Sequence, residues 1–244
     1  SRCIPGIQMA GILAIDTATE ACSVAVYLNG ECRELYEVIP RRHSQRLFGM
    51  LQTLLPGGRL REHGIDAIAY SSGPGSFTGL RIGASAVQGL AFTSGLPAIG
   101  VSTLALQAQT ALRLGHVDTS ATVLSMLDAR INEVYYAVCE FEQGLATLRE
   151  GPVACPASSV VVNASVKLLH GVGSGCRFAS ELPAELGLRV QSLTPDLLPA
   201  ARDLVPFALA SLARGEIQQP QQVQPVYVRD EINWKKLAEQ GKPA

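Results

Sequence analysis

The stretch that most constrains this chain spans residues 71–92. It opens on Gly73-Pro74-Gly75-Ser76, a cluster that breaks regular structure because glycine reaches positive φ and proline fixes φ. Residues 65–70, directly before it, are short and apolar, as a buried strand would be. Directly after it, small residues recur at helical spacing: Gly79 and Gly83 four apart, then Ala86, Gly89 and Ala91. A helix with such a face lets another backbone come close. The layout of strand, glycine turn and helix has two readings. One is a phosphate cradle, with turn amides and a helix N-terminus facing an anion. The other is a tight connection into a closely packed helix. No Gly-Lys-Ser/Thr sequence closes the loop, so it is not a P-loop, and close packing is the expected role.

Upstream, residues 12–15 read as an apolar strand ending on Asp16, with the polar turn Thr17-Ala18-Thr19-Glu20 after it. A second strand over 22–28 is turned by Asn29-Gly30 into a third. Asp16 beside hydroxyl-bearing Thr17 suits a metal-bound phosphate, but it equally suits an Asx cap of the turn, the simpler assignment. Residues 44–55 place Leu47, Phe48, Met50, Leu51, Leu54 and Leu55 at helical spacing, with Ser44 as the expected cap and Pro56-Gly57-Gly58 as the stop. The apolar band is wide, suited to burying one flank at home and offering the other to a partner. His43 follows Arg41-Arg42 with no carboxylate or cysteine near it in sequence, which favours a surface or cap role over catalysis. A strand over 98–101 leads to a helix capped by Ser102 and running to about residue 114.

The pattern then restarts. A strand over 123–127 ends on Asp128, a second covers 133–138, and Gln143-Gly144 turns the chain into a third. The interval from Asp128 to Val138 equals that from Asp16 to Val26, which predicts two related lobes. In the second lobe a helix is expected over 156–167 despite the β-branched run Val160-Val161-Val162. Gly171-Val172-Gly173-Ser174-Gly175 is a second glycine loop, again open to phosphate and plain-turn readings. Proline opens an expected helix over 199–214 that turns Val205, Ala208, Leu209 and Leu212 inward and stops at Gly215. Residues 218–225 read as a polar linker, and Trp234 beside Lys235-Lys236 suits either base stacking or anchoring of a terminal segment.

Composition narrows the functional classes. The chain of 244 residues is 47% apolar and 17% charged, a shortage of charge that points to surface covered by a partner. Net charge is −1, so any work on RNA requires a local patch or a basic partner. Six scattered cysteines with no C-x-x-C pair read as buried thiols rather than a zinc site or disulfide framework. No H-E-x-x-H, G-x-S-x-G or strand-following G-x-G-x-x-G is present, and the four histidines are isolated. No apolar run is long enough to span a bilayer, so a cytoplasmic protein is expected. Residues 1–8 lack periodicity and precede Met9, which reads as a natural start; they are expected to lie outside the fold.

Residues 12–26 (ILAIDTATEACSVAV), residues 73–83 (GPGSFTGLRIG), and the tail segments 225–229 (PVYVR) and 234–236 (WKK) resemble the TsaB (YeaZ) family. The resemblance runs from about residue 9 to 237, strong at both ends and loose through the second lobe. It implies an α/β, actin-like (sugar kinase/Hsp70/actin) fold with two duplicated lobes. The expected division is residues 9–104, 105–222, and a tail over 223–244 that returns to the first lobe. It also implies a role in forming N6-threonylcarbamoyladenosine at position 37 of tRNAs that read codons starting with A. In that scheme the paralogue TsaD transfers the group, the ATPase TsaE joins through the complex, and the TsaB-like chain is TsaD's partner, reaching tRNA indirectly and pairing with itself when alone.

By the same resemblance the partner surface is drawn from the helices holding Leu47, Met50, Leu51, Gly79, Ile82, Gly83, Ala86 and Gly89. A weaker nucleotide set is Asp16, Thr17, Asp128 and Gly173. No cofactor of the chain's own is expected, and any ATP or ADP would sit at the complex interface. TsaD carries paired metal-binding histidines where this chain has Thr103 and Gln107, neither a usual ligand, so no catalytic residue is assigned. Ser71-Ser72 replaces a frequent Gly-Arg before the glycine block. The alternative is an ATP-dependent kinase or nucleotide hydrolase using Asp16 and Asp128 around Mg²⁺; a peptidase ranks last. Gly83→Arg is expected to break partner binding and leave the monomer folded.

Overall fold

The computed structural model describes residues 10–228; Arg229 and the Trp234-Lys235-Lys236 segment lie outside them. Strands β1 (Ile12–Asp16), β2 (Ala21–Leu28) and β3 (Glu31–Val38) form an antiparallel meander. Asn29 and Gly30, at φ 53° and 84°, make its two-residue turn, a geometry these residues tolerate. Helix α1 (His43–Leu54), strand β4 (Ala67–Gly73), helix α2 (Phe77–Ser94), strand β5 (Ala98–Ser102) and helix α3 (Thr103–Arg113) follow. β4 runs parallel to both β1 and β5, giving the order β3-β2-β1-β4-β5.

The second half repeats this. Strands β6 (Val123–Arg130), β7 (Glu133–Glu142) and β8 (Leu145–Pro156) are antiparallel. β9 (Leu169–Val172) pairs parallel with β6 and with β10 (Val190–Thr194), so the order is β10-β9-β6-β7-β8. The short helix α4 (Ala184–Gly187) precedes β10, and α5 (Val205–Arg214) closes the unit. The duplication expected from the two aspartates holds strand for strand. Both also cap their turns by the Asx bond: the amide of Ala18 donates to Asp16 Oδ1 (3.1 Å) and that of Arg130 to Asp128 Oδ1 (2.8 Å).

The copies differ in their helices. The helix expected over 156–167 does not form beyond a 3-10 turn at Ala157–Ser159. Its β-branched run instead packs as extended chain, with Val160 and Val162 buried and the Tyr136 hydroxyl donating to the Val161 carbonyl (3.0 Å). A 3-10 run, Ser174–Glu181, stands where α2 stands in the first half. Pro199 does not open α5: a 3-10 turn (Ala201–Leu204) precedes it, a proline lies in its first turn, and Gly215 at φ 68° ends it. α1 begins at His43 after Arg42, so Ser44 is not its cap; Ser102 stands at the N-cap of α3 without a side-chain bond.

Two cores are private to one lobe each. Leu13, Ile15 and Val24 pack under α1 and α2, while Leu124, Met126 and Val138 pack under the 156–182 region. The third is shared. It joins Ile12, Ala14 and Ala69 of the first sheet to Val123, Leu127 and Ala137 of the second through Leu104 and Ala108 of α3 and Val205 and Ala208 of α5. A division between residues 104 and 105 therefore falls inside a helix that serves both sheets. Residues 218–225 are not a free linker. Gln218 bridges Ala98 through two backbone hydrogen bonds (2.9 and 2.7 Å), Tyr70 donates to its Oε1 (2.9 Å), and the Val226 amide donates to Ser72 (2.8 Å). This strap lies on the first lobe. Among the described residues no helix is long and apolar enough to cross a membrane.

Candidate interaction surface and interlobe cleft

The glycine block is packed against the chain's own first turn. A Cβ built at Gly75 would meet the Ala18 carbonyl, one at Gly79 the Thr17 carbonyl, and one at Gly83 the Thr17 hydroxyl, all well inside contact distance. Thr17 Oγ1 donates to the Gly79 carbonyl (2.6 Å), and the Ser76 amide donates to Ala18 (2.8 Å). Ser76 Oγ accepts from the Gly79 amide (3.3 Å) and caps α2. The block thus clasps α2 onto the β1–β2 turn, as the close-packing reading predicts. Gly79 and Gly83 are buried by this clasp, so a bulky residue at position 83 collides at home, contrary to the expectation of a folded Gly83→Arg monomer.

The other residues named for a partner surface divide by burial. Leu47, Met50 and Leu51 lie inside the first lobe's private core, at 9% exposure or less. Ile82 and Ala86 are half-buried, and Gly89 is exposed. Two residues not named for the partner surface, Phe48 of α1 and Phe92 of α2, stand 70% and 76% exposed. Helical spacing alone assigned Phe48 to the apolar band; its outward position follows from the buried face being taken by Leu47, Met50 and Leu54. Among the described residues nothing lies within 4 Å of a Cβ built at Gly89. A mid-helix glycine costs about 1 kcal/mol against alanine, and the described fold offers Gly89 no compensating contact.

The nucleotide set does not converge on an open site. Asp16 and Thr17 are sealed, at 0% and 1% exposure. Ser71 donates to Asp16 Oδ1, so the serine that replaces the frequent glycine serves this carboxylate, while Asp16 Oδ2 has no partner among the described residues. Burial pushes the Asp16 pKa up to about 6, against the lowering effect of the Ser71 and Ala18 hydrogen bonds. The Gly173 amide is committed to the Thr194 carbonyl (3.0 Å), and a Cβ there would strike Gln107 and Met126. Gly173 is therefore a close-approach glycine and offers no amide to a phosphate. Asp128 lines the cleft between the lobes, a space of about 1060 Å³. His43 is buried at the start of α1, its Nε2 hydrogen-bonded to the Ala21 carbonyl (3.1 Å), a structural placement.

Thr103 and Gln107, one turn apart on α3, are both fully buried. Gln107 shares its Nε2 protons among Ser125 Oγ (3.0 Å), the Met126 carbonyl (3.1 Å) and the Val172 carbonyl (3.1 Å). It stitches α3 to the second sheet. Among the described residues no group of three or more His, Cys, Asp or Glu is placed to hold a metal ion.

Two sheets of one topology, joined by helices in a common core, make this an actin-like protein of duplicated lobes, with its exposed large apolar helix residues on α1 and α2. The family model described as "TsaD: tRNA N6-adenosine threonylcarbamoyltransferase" matches residues 36–155. The chain is 40% identical to the tRNA threonylcarbamoyladenosine biosynthesis protein TsaB of Escherichia coli K12, over 93% of this chain and 97% of that one. It is 33% identical to the TsaB of Haemophilus influenzae, over 95% and 98%. The solved structure of YeaZ from Pseudomonas aeruginosa superposes with a TM-score of 0.80 at 39% identity, covering 90% of this chain and all of that one. The chain belongs to the TsaB family.

Proposed function

We propose that this chain acts in tRNA threonylcarbamoyladenosine biosynthesis as a noncatalytic partner that binds and activates TsaD through the outer face of α1 and α2. The observation that carries the reading is Gly89, an exposed mid-helix glycine near exposed Phe92. A glycine with no internal use suits a surface that another helix backbone approaches, and flanking phenylalanines left in water suit an interface awaiting cover. Ile82 and Ala86 extend that face, and Phe48 of α1 joins it. Leu47, Met50 and Leu51 support it from beneath. The structural employment of Gln107, at the position of a TsaD metal ligand, favours a helper over a second transferase. The same face would pair two copies of the chain when alone, with TsaE joining through the complex in the cytoplasm. Any ATP or ADP belongs to the assembled interface.

The test is an in-vitro tRNA modification assay with TsaD, TsaE and threonylcarbamoyl-adenylate, with and without this chain. Modification is expected to require the chain, to survive Asp16→Asn, and to fail with Gly89→Arg as TsaD binding is lost. Full modification without the chain, or unimpaired TsaD binding by Gly89→Arg, would refute the proposal.

A further inference from the structure

The interlobe cleft collects arginines from both halves of the molecule. Arg41 comes from the segment before α1, Arg130 from the end of β6 and Arg177 from the 3-10 run, and all three line the cleft. Arg41 makes no ion pair or side-chain hydrogen bond among the described residues. Arg130 reaches Asp128 only at 3.7 Å, and Arg177 meets the exposed Asp196 at 3.3 Å. Exposed pairs of this kind are weak, and a phosphate can displace them.

Phe77, at the start of α2, also lines the cleft and is 57% exposed. The Arg81 guanidinium sits over its ring at 4.7 Å, and Tyr227 of the strap packs against it at 5.3 Å between centroids. Glu20, Asp128 and Asp196 line the same cleft, so its arginines stand among carboxylates, and the aromatic–guanidinium stack meets the cleft through Phe77. Two of the three cleft arginines, Arg41 and Arg130, occupy left-handed backbone (φ 63° and 65°), and Ile131 follows at φ 54° while 84% exposed. A β-branched residue in that region is an outlier, and Ile131 gains no burial in return.

We infer that the mouth of this cleft binds unpaired nucleotides of an RNA directly, with phosphates on Arg41, Arg130 and Arg177 and a base extending the Phe77–Arg81–Tyr227 stack. The inference rests on the tRNA-modification reading above and adds a contact surface on this chain. Stacked aromatic and guanidinium planes beside weakly paired arginines are the chemistry that holds single-stranded nucleic acid. A deep polyphosphate site fits less well, because Asp16 is sealed and the Gly173 amide is already bonded.

The test is fluorescence anisotropy of the full chain with a labelled anticodon stem-loop RNA, titrated at several KCl concentrations between about 50 and 200 mM. The combined Arg41→Ala, Arg130→Ala, Arg177→Ala variant is expected to lose at least about tenfold in affinity, with a salt slope smaller by about 2, at about 0.7 per single-strand phosphate. Phe77→Leu is expected to weaken binding about tenfold with little change in slope. Melting temperatures verify that each variant is folded. Absence of saturable, salt-dependent RNA binding, or wild-type binding by the arginine variant, would overturn the inference. So would equal competition by an acidic peptide, or saturable ATP binding without RNA binding. If TsaD binding and activation persist while RNA binding fails, this inference falls and the proposed function stands.

Discussion

Gly83 and Gly89 sit on the same helix and look interchangeable in sequence, yet their responses to a methyl group should be opposite. At Gly83 the added Cβ drives into Thr17 Oγ1, whose proton is held by the Gly79 carbonyl at 2.6 Å. Losing that buried bond costs about 1 kcal/mol, and overpacking adds about 1–3 kcal/mol. The better helix propensity of alanine returns about 1 kcal/mol. Gly83→Ala should therefore destabilise by about 1–3 kcal/mol. At Gly89 the Cβ meets nothing within 4 Å, so only the propensity gain of about 1 kcal/mol remains. For a chain of this size that raises Tm by about 2–4 °C. Thermal and urea unfolding, at concentrations low enough to keep the chain monomeric, would measure both. Gly89→Arg should behave like Gly89→Ala in that assay and still abolish TsaD binding, separating interface from fold in one residue. A Gly89→Ala monomer less stable than wild type, or a Gly83→Ala monomer more stable, would refute the assignment of these glycines.

Asp16, with a pKa raised from an ordinary value near 3.8 to about 6, binds its proton more tightly in the folded state. Its favourable share of stability is thus complete below about pH 4 and is lost as pH rises to about 6, amounting to roughly 3 kcal/mol by neutral pH. Asp16→Asn should gain on wild type through that window in urea titrations, and a pH-independent difference would count against burial as the cause. Asp203 is buried and holds Arg113 (2.7 Å) and Thr110 (2.8 Å), joining α3 to the turn before α5. With Arg113 about a third exposed, Asp203→Ala should cost about 2 kcal/mol; a change below 0.5 kcal/mol, roughly the noise of a surface substitution, would refute it. Burial lifts the Cys22, Cys139 and Cys176 thiols to about 12, so among the five cysteines of the described residues native alkylation should mark the half-buried Cys32 and Cys155 first. Earlier labelling of Cys139 in peptide mapping would contradict this.

Much of the fold was legible because strand and turn chemistry are local. Asp16 and Asp128 each close an apolar strand with an Asx turn, and Asn29-Gly30 demands its hairpin. The helix signals misled where tertiary packing overrode them: Val160-Val161-Val162 reads with a helix but is satisfied as extended chain against Tyr136. The site was legible only in outline. Small residues on α2 announce close contact, but not with what. Gly79 and Gly83 answer to Thr17, distant in sequence, whereas a Cβ at Gly89 would meet nothing within 4 Å among the described residues. The strap was hidden for the same reason. Gln218 reads as linker until Tyr70 and Ala98 are brought to it by the sheet.

The shared core has a consequence for how the chain must be made. α3 follows the first sheet in sequence but packs against both sheets, while α5 follows the second sheet and returns to the first. Synthesis past β5 alone leaves Ile12, Ala14 and Ala69 of the first sheet without their α5 cover. Cutting either half free would expose apolar surface that the other half closes.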